Sequence, residues 1–188
     1  MDEWHKQKAV RNELDTHSSL EIGFSTFFLN RTNRSGIIDK AGPIGGLNQQ
    51  GDYPIDCRFN KVRLISQIQK IAEYKDHIMI YNMEALDFIE DIILKKGKAC
   101  FFDPPYYGKG PGLYTNFYSH GDHANLANTI LQRLKHRKWI VTYDNINAIK
   151  AMYTKVPSIE FKLQYTLQRK RSSSEVMIFF KESTKASK

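Results

Sequence analysis

The second half of the chain alternates short apolar runs with amphipathic segments, and this alternation constrains the fold more than any other feature. Apolar runs of strand length lie at 77–81, 98–102 and 138–142, and each precedes a segment with apolar residues at helical spacing. Two further runs, 159–167 and 175–180, flank a polar turn. The alternation predicts parallel βαβ units, and the last pair predicts a terminal antiparallel hairpin. The sequence therefore predicts an α/β fold with one half of a doubly wound, Rossmann-like sheet.

The preceding residues predict a small helical and hairpin subdomain over 18–72. Apolar residues recur at helical spacing from Leu20 to Phe28 behind Ser18, which predicts a capped helix that ends near Asn30. A glycine-rich stretch without periodicity follows, and Asn60 then opens a second amphipathic helix. The predicted organisation is a polar linker at 1–17, the subdomain at 18–72, a core at 73–181 and a tail at 182–188.

Composition limits the function classes. The chain has 188 residues, 41% of them hydrophobic, which is enough for one core with a small added subdomain. No apolar run reaches the ~20 residues of a membrane span and the first residues, MDEWHKQK, are charged, so we expect a cytoplasmic protein without a membrane partner. Cys57 and Cys100 lack metal-site spacing and are expected to be buried thiols, with no metal and no redox role. A net charge of +8 favours a polyanionic partner such as nucleic acid.

The segment Asp103-Pro104-Pro105-Tyr106 follows the strand at 98–102, where an open α/β sheet places its ligands. An exocyclic amine is a poor nucleophile because its lone pair is delocalised into the ring, and acceptors for its hydrogen bonds free that pair. Asp103 and the Pro104 carbonyl can be these acceptors, held in one orientation by the two prolines. Tyr106 can stack on a base that has left the duplex. The motif therefore suits methylation of an amino group on a nucleobase.

The string FFDPPYYGKG resembles motif IV of the amino-methyltransferases, and its Asp form suits the Dam-like adenine-N6 DNA methyltransferase family. TFFLNRTNRSGI and RFNK resemble the segments that enter and leave that family's recognition hairpin. IYNMEALDFI, LYTNFYSHGDHANLA and IVTYDN resemble the segments around its catalytic strand, and DEWHKQK resembles a linker after its cofactor-binding turn. The resemblance covers residues 2–181 and implies a partial S-adenosylmethionine-dependent methyltransferase sheet.

The resemblance also implies residue roles. The catalytic residues are Asp103, Pro104, Pro105 and Tyr106, and Asp103 also contacts the methionine amino group of the cofactor. Asn82 and Glu84 lie where the family contacts the cofactor adenine. The residues facing double-stranded DNA are Asn30, Arg31, Asn33, Arg34, Ser35 and Lys61, and their arginines suit phosphate or guanine contacts.

The family's phenylalanine-x-glycine-x-glycine turn, which holds most of the cofactor, is missing from these residues. The glycine-rich residues 42–46 do not follow a predicted strand, and no predicted helix comes directly after them, so we interpret them as a flexible turn. The chain is therefore a truncated gene, a fragment or one half of a split enzyme whose other half comes from a second chain. A homo-oligomer is the other expected assembly.

The sequence leaves three hypotheses for the function open. The first is an adenine-N6 DNA methyltransferase, or the catalytic and recognition part of one. The second is a catalytically inactive DNA-binding remnant, and the third is a methyltransferase of RNA or protein. Among other features, Asp144-Asn145 reads as a helix cap or a lining of the site, and His123 falls on an apolar helix face rather than in a metal site.

Overall fold

A computed structural model of the chain describes residues 1–96, 99–108, 117–165 and 171–180. The chain divides into two units, Met1–Met79 and Ile80–Lys188. The boundary thus follows the 3₁₀ turn Lys75–His77, whereas the sequence pattern placed it after residue 72. Within the described residues, no helix is both long and apolar enough to cross a membrane.

The first unit is built on three α-helices, α1 (Asp2–Asn12), α2 (Ser19–Thr32) and α3 (Lys61–Ala72). The linker predicted at 1–17 is therefore wrong for its first part, because α1 buries Trp4 and Val10 and packs on α2. Ser18 caps α2 in a reciprocal box with Glu21, and Asn60 accepts from the Arg63 amide at the start of α3, as predicted. Helix α3 buries only Leu64 of its apolar face.

The second unit begins with a helix, α4, that changes form along its length. It is α-helical at Ala85–Phe88, π-helical at Ile89–Ile93 and α-helical again at Leu94–Lys96. The described residues then form α5 (His120–Arg133) and α6 (Asn147–Met152). Ser119 caps α5, and Asp122 completes a reciprocal capping box with it.

The described strands of the second unit form a four-stranded sheet in the order β1-β2-β4-β3. Their bounds are β1 Ala99–Phe102, β2 Lys138–Asp144, β3 Ser158–Tyr165 and β4 Arg171–Phe179. Strands β1 and β2 pair in parallel, and β4 pairs antiparallel with both β2 and β3. The predicted parallel pair and antiparallel hairpin are thus present, but β4 lies inside the sheet, between β2 and β3.

The strand predicted at 77–81 is wrong. His77 ends the 3₁₀ turn, and the residues that follow belong to none of the described strands. Ile80 is 90% exposed. Local strand propensity alone therefore does not predict the structure of this segment.

The core of the second unit lies between the sheet and its helices. It combines Ile89 and Ile93 of α4 and three apolar positions of α5 with the inward faces of β2 and β4. Both cysteines are free, and Cys57 is exposed rather than buried as predicted, because it lies in the loop before α3. This packing fixes the carboxyl ends of β1 and β2 side by side.

Candidate active site

The Asp-Pro-Pro-Tyr segment leaves the sheet at the carboxyl end of β1, beside β2. Phe102 is in register with Val141, so the next residue on each strand, Asp103 and Thr142, are neighbours. The Thr142 hydroxyl donates to Asp103 Oδ1 at 2.8 Å. Asp103 is exposed, while Pro104 behind it is buried. One carboxylate oxygen is thus held by the sheet.

Asp144, the last residue of β2, holds the backbone of the same loop. Its two carboxylate oxygens accept the amides of Tyr107 and Gly108, each at 2.9 Å. A Cβ at Gly108 would lie 2.8 Å from Ile146 Cδ1 and 3.2 Å from Asp144 Oδ2, so a larger residue there would require the Ile146 side chain to move. The helix-cap reading of Asp144 is wrong, because Ile146 is the cap residue of α6.

Glu175 of β4 reaches the side chain of the motif tyrosine. The Tyr106 hydroxyl donates to Glu175 Oε1 at 2.6 Å. Glu175 is paired in register with Asp144, and each of the two acidic residues is 6% exposed. Two neighbouring carboxylates, on β2 and β4, therefore hold the backbone and the aromatic ring of one loop.

A cavity of about 470 Å³ opens beside the loop. Its polar wall includes Asp103 and Tyr118, and Ala85 and Phe88 of α4 line its apolar side. Its volume is in the range of small-molecule sites. Burial raises the pKa of Tyr118, and the nearby carboxylates of Glu84 and Asp122 raise it further.

The two predicted cofactor residues of the 82–84 segment are exposed. Neither Asn82 nor Glu84 is among the residues that line the cavity, although the Glu84 carboxylate contributes to the raised pKa of Tyr118. Asp103, the third predicted cofactor residue, is in the cavity wall. The structure thus brings Asp103, alone of these three residues, to a ligand-sized space.

Histidines and tyrosines form a layer behind the loop. The Tyr107 hydroxyl lies 2.9 Å from His120 Nδ1, and His123 Nδ1 lies 3.0 Å from the buried Tyr143 hydroxyl. Burial lowers the pKa of His123, against the opposing effect of Asp144. In the described part of the chain, no three His, Cys, Asp or Glu side chains are grouped to hold a metal ion.

In the first unit, Asn33 organises the predicted DNA-facing loop from inside. Its side chain is fully buried, accepts from the Trp4 indole at 2.7 Å and donates to the carbonyls of Ile37 and Ile38. Its own carbonyl accepts from the Arg58 guanidinium. The buried Asn33 thus holds the loop from inside, and its contact with DNA stays a prediction.

The other predicted DNA-facing residues lie at the surface. Arg34, Ser35, Asn30 and Lys61 are exposed, and the half-buried Arg31 places its guanidinium 5.9 Å from the centre of the Phe27 ring. The Asn30 amide donates to the Gly36 carbonyl and thereby closes the turn. Ser35 has a positive φ of 56°, so this turn is sharply bent.

A family model decides what kind of protein has this geometry. The D12 class N6 adenine-specific DNA methyltransferase model matches residues 3–167. The chain belongs to this family. A search of curated proteins found no match. Membership in the D12 family accounts for the Asp-Pro-Pro-Tyr segment at the sheet edge, and it makes DNA the substrate class of the family to which the chain belongs.

Sequence reasoning missed two residues of this candidate site and misread a third. Thr142 and Glu175 were not singled out, and Asp144 was considered only as a cap or a lining residue. The one signal in the sequence was a carboxylate at the end of a strand next to the motif strand. Glu175 gave no such signal, because its role depends on β4 lying beside β2.

Proposed function

We propose that this D12 family member is a site-specific DNA methyltransferase that transfers a methyl group from S-adenosylmethionine to N6 of a flipped adenine. The observation that carries the proposal is the exposed Asp103 carboxylate, held by Thr142 beside the ligand-sized cavity. One of its oxygens is engaged by the sheet, and a carboxylate has further lone pairs to accept an adenine amino hydrogen. Together with the Pro104 carbonyl, it shifts that amine toward tetrahedral geometry.

Tyr106 supplies the stacking surface in this proposal. Its ring is half-buried and follows two prolines, and a base outside the duplex needs a new stacking partner. Pro104 and Pro105 limit the backbone freedom of the loop, so the acceptor and the ring keep a fixed spacing. The four residues of the motif thus have separate tasks in binding one adenine.

The described residues fit one end of S-adenosylmethionine. When bound, this cofactor supplies an electrophilic methyl group. Asp103 would hold its methionine amino group, and Glu84 and Asn82 would contact its adenine. The apolar wall at Ala85 and Phe88 suits the uncharged parts of the molecule.

These contacts are too few to hold the cofactor alone. One charge-assisted hydrogen bond contributes about 1.5 to 3 kcal/mol, while association costs several kcal/mol or more. We therefore propose that the glycine-rich turn of the family, supplied in the same polypeptide or by a second chain, completes the cofactor site. Residues 1–188 alone should bind S-adenosylmethionine weakly.

Double-stranded DNA is the proposed partner of the first unit. The exposed Arg34 and Lys61 suit phosphates, and the guanidinium of Arg31 is presented on the Phe27 ring. Asn30 and Ser35 lie in the same turn and offer polar side chains to base edges. Asn33 acts from inside, by holding the loop in shape.

The test measures transfer of tritiated methyl groups to unmethylated plasmid DNA, with N6-methyldeoxyadenosine identified by mass spectrometry. It compares the chain alone with the chain fused to the cofactor-binding segment of another D12 member. We expect methylation in the fusion, loss of methylation in Asp103→Ala, and retention in Asp87→Ala, a control acid in the first turn of α4. Duplex binding without methylation in both forms would instead identify a DNA-binding remnant.

A further inference from the structure

We infer that Glu175 is a positioning residue that fixes the ring of Tyr106 for the incoming adenine, an inference that rests on the function proposed above. The two residues are 69 positions apart in the chain, and the Tyr106 hydroxyl donates to the Glu175 carboxylate at 2.6 Å. This distance is in the short range of charge-assisted O–H···O bonds. The contact fixes the tip of the ring, the part farthest from the backbone.

The ring is already anchored at its base. Pro105 precedes it, and the next two amides, of Tyr107 and Gly108, are bound by Asp144. Rotation about the side-chain bonds is the freedom that remains, and a bond at the hydroxyl removes it. A stacking surface that is ordered before the base arrives loses less conformational entropy on binding.

The placement of Glu175 is unfavourable unless its carboxylate has such a partner. It faces Asp144 across the β2–β4 pair, and both residues are almost fully buried. Like charges on neighbouring strands repel, and a buried carboxylate is costly without hydrogen bonds. The neighbouring positions on β4, Val176 and Ile178, are buried apolar residues that serve the core. The Glu175 carboxylate, in contrast, contacts the motif loop through the Tyr106 hydroxyl.

Substitutions separate the bond from the ring. Glu175→Ala removes the acceptor, whereas Glu175→Gln keeps an amide oxygen that still accepts. Tyr106→Phe keeps the stacking ring and removes the donor. If the bond is what matters, Glu175→Ala and Tyr106→Phe have the same effect, and the double variant is no worse than either one.

The first measurement needs neither DNA nor cofactor. The full chain is labelled with 3-fluorotyrosine at its 10 tyrosines, and the ¹⁹F line that disappears in Tyr106→Phe is assigned to Tyr106. We expect this line to shift and broaden in Glu175→Ala, to shift less in Glu175→Gln, and to stay in place in Glu90→Gln. Glu90 pairs with Arg133 on α5 and is the matched control.

The second measurement is methyl transfer by the fused chain. Loss of a hydrogen bond to a charged group predicts a fall in kcat of roughly tenfold or more in Glu175→Ala and Tyr106→Phe. The KM for DNA should stay within about twofold, because the DNA-facing loop is unchanged, and Glu175→Gln should recover much of kcat. A role in sheet stability alone would lower the melting temperature without this pattern.

The outcomes are distinguishable. If wild-type protein transfers no methyl group, the proposed function fails, and the ¹⁹F line of Tyr106 still tests the tether. An unmoved Tyr106 line in Glu175→Ala overturns the inference. So does a shifted line together with a wild-type kcat, because the bond would then exist without positioning the ring for the reaction.

Discussion

Asp144→Ala should release the backbone of the motif loop without unfolding the sheet. The carboxylate accepts two amides at 2.9 Å, and hydrogen bonds to a charged group contribute about 1.5 to 3 kcal/mol each. Gly108 is exposed, so its amide can donate to water after the change, and the lost stabilisation is smaller than the sum for two such hydrogen bonds. We expect the loop to lose about 2 to 4 kcal/mol of local stability.

The assay is amide hydrogen exchange, followed residue by residue by NMR in the ¹⁵N-labelled chain. The loss corresponds to exchange about 30-fold to about 1,000-fold faster at Tyr107 and Gly108, since 1.4 kcal/mol is a factor of ten. Asp144→Asn keeps one acceptor oxygen and should have a smaller effect. Amides of β4 report global unfolding and should not change.

Asp91→Asn is the matched control, because the Asp91 carboxylate pairs with Lys95 on an exposed helix surface. Such a pair contributes little, and exchange at the motif loop should be the same as in wild type. If Asp144→Ala leaves exchange at Tyr107 and Gly108 unchanged while the sheet stays folded, the carboxylate does not hold the loop, and the reasoning is refuted.

Three further predictions concern other parts of the chain. Replacing Arg31 and Arg34 with alanine should weaken duplex binding and reduce the slope of log affinity against log salt concentration by about one per lost phosphate contact. Fluorescence anisotropy across a salt series measures this slope, and an unchanged slope would contradict the DNA-facing role. Asn33→Ala should lower the melting temperature of the first unit, because it leaves the Trp4 indole without its acceptor, whereas the exposed Ser35→Ala should have little effect. Burial lowers the pKa of His123, so the unfolded chain binds protons more readily, and the second unit should lose stability as pH falls below about 6.5. Urea titrations at several pH values should show that the free energy of unfolding depends less on pH in His123→Gln than in wild type. An equal pH dependence in the two proteins would disprove this cause.

The strand and helix pattern of the sequence predicted an element correctly where the apolar residues of that element pack into a core. Strands β1, β2 and β4 and helix α5 lie close to their predicted positions, because each contributes apolar side chains to the same core, and β3 pairs with β4. The run at 77–81 has equally strong strand character, yet it forms none of the described strands, so local strand character alone does not decide the structure of a segment.

The candidate site divides in the same way. Asp103 and Tyr106 were predictable, since the chemistry of a short contiguous motif is visible in the letters. Thr142 and Glu175 were not predictable, because their contacts span 39 and 69 residues and depend on which strands become neighbours. Asn33 shows a different difficulty, because the sequence alone does not tell whether a polar residue in a basic loop faces solvent or is buried and hydrogen-bonded inside the loop.

The position of β4 inside the sheet gives the loop a late assembly step during synthesis on the ribosome. The motif is made first, but the strand that carries Glu175 is made 69 residues afterwards and must insert between β2 and β3. Closing such long loops is slow, so this part of the sheet should be among the last to form. A nascent chain that stops before β4 would contain the complete motif with an untethered tyrosine. In the function proposed above, Tyr106 would therefore be positioned for stacking only after β4 is made, rather than when the motif itself is made.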